Sequence, residues 1–173
     1  MENYDFCPPE KKEWCVPAAL QTILRKRKIN MSQRDISEKF PECFKEGIST
    51  GFRFSEKLLQ KFFRENNLEL DCRFLNPFAD FELYHSTDLF LGEIKYGIND
   101  ALVGYDSELQ QTKSNEEQIP HISVFLDYSV KSDLVRVTGI GKRPYEDISL
   151  PLLIDNMHPD KNPSYGFYVI KEN

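Results

Sequence analysis

No apolar stretch of this 173-residue chain approaches the roughly 20 residues of a membrane-spanning helix, so no membrane segment is expected. Met1-Glu2-Asn3-Tyr4-Asp5 also lacks the basic and then apolar regions of a secretory signal, which points to a cytoplasmic protein. The four cysteines, Cys7, Cys15, Cys43 and Cys72, include no C-x-x-C pair. That spacing speaks against a zinc knuckle or a thioredoxin-like motif, and neither a metal nor a cofactor is expected. An excess of positive charge is missing too: 22 Lys and Arg against 28 Asp and Glu leave a formal charge of −6. Such a chain gains no affinity for phosphate backbones, so nucleic acid is not expected as a partner. The one basic run, Arg25-Lys26-Arg27-Lys28, reads as a solvated helix end whose cations suit the C-terminal dipole. Internal repeats and low-complexity tracts are absent as well.

What is present is the composition of a globular protein, 40% hydrophobic and 29% charged. The length fits a single domain over residues 1–173, large enough to bury a core without metals or disulfides. After an irregular arm ending at Pro8-Pro9, Pro17 suits a first helical turn, and Ala19, Leu20, Ile23 and Leu24 recur at helical spacing. This helix is expected to run to about Arg27. Ser32-Gln33-Arg34-Asp35 resembles a capping box opening a second helix towards Phe40. Leu58, Leu59, Phe62 and Phe63 signal a third over Ser55 to Asn66, between a loop from Pro41 to Phe54 and the break at Asn66-Asn67.

Alternation of Leu68, Leu70, Cys72 and Phe74 predicts a half-buried strand, with Cys72 in the core. A loop from Pro77 to Thr87 and a short helix from Asp88 to Tyr96 follow. Further strands are expected over Ala101 to Tyr105, His121 to Tyr128, Asp133 to Ile140 and Tyr165 to Lys171, with a helical piece from Leu150 to Asn156. Asp106 to Pro120 reads as a polar connection. A mainly helical half (1–67) before a mainly sheet half (68–173) predicts the α+β class, helices packed on an antiparallel sheet.

Chemistry is suggested first by Cys15. In Glu13-Trp14-Cys15-Val16-Pro17-Ala18-Ala19-Leu20 the thiol falls at a helix N-terminus, where the peptide dipoles and free N–H groups favour a thiolate. A nucleophilic thiol needs a base. Of the three histidines, His85 lies in a loop and His158 in a Pro-rich stretch, whereas His121 opens a strongly apolar strand. A strand end at the rim of a sheet holds a side chain rigidly and leaves it reachable. Asp127, six residues on, lies about 20 Å away at roughly 3.3 Å per residue and cannot orient His121. Pairing Tyr128 near Asp133 sets the neighbourhood of Val137, Thr138, Gly139 and Ile140 opposite His121, where Thr138 is the only side-chain acceptor. Asp147, Asp155 and Asn156 lie further on, with nothing to place them.

These residues together resemble the papain-like cysteine peptidases, closest to the branch of double-glycine leader (bacteriocin-processing) peptidases and their stand-alone relatives. The resemblance rests on Trp14 to Leu20, Ile23-Leu24, Ser32 to Ile36, Gly97 to Val103 and His121 to Tyr128. It implies a papain-like fold, a peptide or protein substrate, Cys15 as nucleophile, His121 as base and acid, and the Cys15 N–H as an oxyanion donor. Two positions depart from the pattern. The family carries a glutamine five or six residues before the cysteine, where this chain has Glu10 and Pro9. It carries an Asp or Asn after the histidine strand, where Thr138 and Gly139 stand. Glu10 and Trp14 are therefore the candidate oxyanion or substrate-positioning residues, and Thr138 the candidate third catalytic residue.

The leading expectation is a thiol hydrolase acting on a peptide or isopeptide bond. A Cys-dependent acyltransferase and an inactive papain-like binding module stand as alternatives. The plainest reading makes Cys15 a small buried residue behind Trp14. Loop residues Asp106, Glu108, Glu116 and Glu117 suit a solvated connection better than a site for basic substrates.

Overall fold

In the computed structural model of the chain, the described residues are 4–11, 14–40, 54–78, 91, 99–106, 120–139, 143–157 and 165–173. The loops expected within 41–53 and 79–87, the helix expected over 88–96 (apart from residue 91) and the connection within 107–119 lie outside them. So do Cys43, His85, Glu108, Glu116, Glu117 and His158.

Helix α1 (Cys15–Lys26) buries Val16, Ala19, Leu20, Ile23 and Leu24, the stripe its spacing predicts, and also Gln21 and Thr22. Buried polar groups need partners. Thr22 Oγ1 donates to Ala18 O at 2.9 Å and accepts the Cys7 N–H at 3.1 Å. Gln21 donates to Met31 O at 3.1 Å and accepts from Gln33 Nε2 at 3.1 Å, while Gln33 also donates to Pro8 O at 2.8 Å and accepts the Glu10 N–H at 2.9 Å. The N-terminal arm is thereby fastened to α1 and to the next helix. Left-handed Lys28 (φ 61°) ends α1, with Ile29 N–H returning to Leu24 O at 2.8 Å and Lys28 N–H to Arg25 O at 2.8 Å, satisfying carbonyls the last turn leaves open.

Helix α2 (Gln33–Lys39) starts at the capping box read from sequence, Ser32 and Asp35 bonding reciprocally. Helix α3 (Glu56–Glu65) is capped by Ser55 and closed like α1, with Asn67 at φ 52°. The strands are β1 (Leu70–Leu75), β2 (Asp100–Asp106), β3 (Pro120–Ser129), β4 (Leu134–Val137), β5 (Glu146–Ser149) and β6 (Gly166–Glu172), with α4 (Leu150–Asp155) between the last two. They form one antiparallel sheet in the order β1-β6-β2-β3-β4-β5. Alternation splits its side chains between two cores. Leu102, Ile122, Val124, Tyr168 and Cys72 meet α1 and α3 on one face; Val103, Tyr105, Phe125, Val137, Phe167 and Leu153 pack together on the other.

Four points differ from the expectations. Strand β4 stops at Val137 rather than Ile140, and β5 was missed because inward-facing Glu146 hides the apolar alternation. The β3–β4 register is displaced: Ser129 pairs with Leu134 and Tyr128 with Val135, and a bulge between Phe125 and Asp127 shifts it again. The tight turn uses Asp133 at φ 53°, a left-handed conformation that aspartate tolerates better than most residues but that its presence alone does not require. Finally, the basic run is more than a solvated end, since Lys26 and Arg27 both grip the buried carboxylate of Asp100.

Candidate active site

Cys15 occupies the first position of α1. Trp14 before it makes no side-chain cap, no acidic residue sits in the first turn, and Pro17 has no N–H to offer. Ala18 N–H is already bonded to Trp14 O at 3.0 Å. The donors facing the helix mouth are thus those of Cys15 and Val16, and both act on the Cys15 sulfur. A third comes from the sheet. Val124 directs its N–H and C=O at Thr138, and Ile122, two residues back, points its N–H the same way beyond the end of β4. Ile122 and Cys15 line the same pocket, and this N–H favours the thiolate. Burial nonetheless dominates and pushes the thiol above its ordinary value, the N–H groups of Ile122, Val16 and Cys15 opposing it.

A small, shallow pocket, open at its mouth, brings the pieces together. Helix α1 contributes Cys15, Ala18, Ala19 and Thr22; the arm contributes Phe6, Cys7 and Pro9; β3 supplies His121 and Ile122; Thr138 and Gly139 close it. A Cβ on Gly139 would lie 2.6 Å from the Arg143 carbonyl oxygen, so only glycine lets the chain double back this tightly beside the pocket.

Cys15, His121 and Thr138, chosen from sequence, therefore line one cavity. Glu10 and Trp14 do not line it. Glu10 is exposed and tied in by its backbone alone, while Pro9 faces the pocket. Trp14 is half-buried, with the Lys11 ammonium 4.3 Å above its ring. Thr138 Oγ1 accepts the Val124 N–H at 2.9 Å and its carbonyl accepts from Ser123 at 2.8 Å, so the residue extends the β3–β4 ladder past its last paired strand residue. Asp147 is bound on the surface by Arg136 at 2.7 and 2.8 Å. Among the described residues no group of His, Cys, Asp and Glu could hold a metal ion, and no helix is long and apolar enough to cross a membrane.

Sequence reasoning missed Tyr105, Ser123 and the Ile122 N–H. Tyr105 pairs with His121 across β2 and β3, and the two rings meet edge to face at 5.6 Å. Finding that contact required the register of two strands separated by a long connection.

Burial lowers the His121 imidazole from 6.5 to about 4. Above pH 6.5 the ring is neutral folded and unfolded, and stability does not depend on it. As pH falls from 6.5 towards 4 the unfolded chain gains a proton the folded one refuses. Stability should then drop by up to about 3 kcal/mol. Urea unfolding across this range should show that slope in the parent and a shallower one in His121→Asn. Equal slopes would contradict a buried neutral histidine.

No family model matches the sequence, and no curated protein does. Thirteen solved chains match the fold. One, from Bacillus anthracis and described as a candidate C39-like peptidase, matches with a TM-score of 0.61 at 10% identity, over 100% of this chain and 96% of that one. The likeness establishes the fold as the α+β, papain-like architecture of C39-like peptidases.

Proposed function

We propose that this chain is a papain-like thiol hydrolase that cleaves a peptide or isopeptide bond through Cys15 and His121, related to the double-glycine leader-peptidase branch. The observation that carries this reading is the single pocket shared by a helix-start thiol and a strand-end imidazole, in the fold of a C39-like peptidase. Burial disfavours both charged forms, so the resting pair is thiol and neutral imidazole. As the sulfur attacks the carbonyl carbon, its proton passes to His121. The oxyanion forms beside the helix-start N–H groups, in place of the family's glutamine. The intermediate collapses as His121 protonates the departing amine, leaving a thioester. Water, deprotonated by His121, then attacks the thioester and frees the acid and the thiol.

Alkylation by iodoacetamide tests the assignment. Desolvation raises all three described thiols, but Cys7 and Cys72 are buried whereas Cys15 is only partly buried and faces the open pocket. Native protein should label at Cys15 at least ~10-fold faster than at Cys7 or Cys72, with a rate still climbing beyond pH 9. Indifference of the Cys15 rate to His121→Ala would remove the base.

A further inference from the structure

A papain-like histidine ordinarily needs a partner that fixes its ring, and among the described residues no carboxylate contacts the His121 imidazole. Asp147 is bound by Arg136 on the surface, and Thr138 Oγ1 accepts the Val124 N–H. Burial is the cause of the displaced His121 titration. What does touch the imidazole is an aromatic ring. Tyr105 is fully buried, and its ring stands at 77° to that of His121 with centroids 5.6 Å apart. Edge-to-face packing of this kind is favourable and directional.

The ring is itself held at both ends. Its backbone is locked opposite His121 in the β2–β3 ladder. Its hydroxyl lies 3.2 Å from Ser123 Oγ, which donates to Thr138 O at 2.8 Å. Thr138 in turn bonds Val124 through both its N–H and its hydroxyl oxygen, each at 2.9 Å. Tyr105, Ser123, Thr138 and Val124 thus form one chain of contacts that ends on the wall of the pocket. Burial first, and then the neighbouring Glu146 and Cys15, disfavour ionisation of the Tyr105 phenol, so it stays a neutral hydrogen-bonding group.

Resting on the Cys15–His121 reading, we propose that Tyr105 is the positioning residue for His121, an aromatic clamp anchored by Ser123 that takes the place of the family's acidic partner. The clamp fixes where the imidazole lies and keeps water from its buried side. It carries no proton in the reaction.

Two readouts on the same variants test it. In the parent, the His121 ring proton should titrate near pH 4 by NMR and show the upfield shift of a proton near an aromatic ring. Tyr105→Phe keeps the ring and should keep both features, with kcat reduced only a few-fold. Tyr105→Leu removes the ring. His121 should then lose the ring shift and titrate at least one pH unit higher, and kcat should fall about 100-fold with KM little changed, as for a misplaced catalytic group. Tyr105→Met fills more of the space and serves if the leucine variant does not fold. An unchanged His121 spectrum in the leucine or methionine variant, or kcat within threefold of the parent, overturns the clamp. A parent lacking Cys15-dependent cleavage overturns the hydrolase reading instead, and the His121 spectra still decide the clamp.

Discussion

Cys15→Ala should lower kcat/KM for peptide cleavage by roughly 10⁵-fold while leaving the fold in place, the loss expected when a covalent nucleophile is removed. The side chain is partly buried at the edge of the core and makes no helix cap, the atom lost is one sulfur beside an open pocket, and alanine is a better helix former than cysteine. Stability should stay within about 1 kcal/mol of the parent. Cys15→Ser should be nearly as inactive, because the neutral imidazole beside it is too weak a base for a hydroxyl. Chromatographic assay of a cleaved peptide, with thermal unfolding followed in parallel, checks both halves. A folded alanine variant with full biological activity would instead favour the binding-module alternative.

The largest loss of stability should come from the other end of α1. The Asp100 carboxylate is fully buried, receiving Lys26 Nζ at 2.6 Å, Arg27 Nε at 2.7 Å and the Tyr4 hydroxyl at 2.6 Å. Arg27 is itself only 8% exposed and bridges onward to Glu172 at 2.8 Å. Asp100→Ala leaves that guanidinium buried without its main counter-charge, which costs about 3–5 kcal/mol. The cluster ties the end of α1 to β2 and to the N-terminal arm, a whole helix length from Cys15. Urea unfolding should register the loss, while kcat measured on the folded fraction should stay within a few-fold of the parent. A loss below about 1 kcal/mol would show that the cluster behaves as a surface ion pair.

The sequence makes the helices legible because their signals are local. The Ser32/Asp35 capping box, the stop at Asn66-Asn67 and the stripe of α1 all act within a turn or two. Cys15 and His121 were likewise chosen on local grounds, one from a helix start and the other from the head of an apolar strand, and the fold brings both to one pocket. Long-range pairing was not. The position across from His121 depended on which residue of the hairpin, Asp133, turned left-handed and on a bulge in β3, and the sequence does not say how far either shifts the register. The Asp100 cluster escaped for the same reason: both of its cations, Lys26 and Arg27, looked like a solvated helix end until β2 brought a carboxylate to them. Tyr105 became visible only once β2 and β3 were in register.

The most direct measurement is the mass of the covalent intermediate. The protein is mixed with an activated ester of a short peptide acid and quenched in acid within seconds. Intact mass should rise by the mass of the acyl group, and digestion should place that group on Cys15. The adduct should vanish on treatment with neutral hydroxylamine and fail to form in Cys15→Ala. Cleavage that proceeds with no adduct, or with the acyl group on another residue, would contradict a Cys15 thioester.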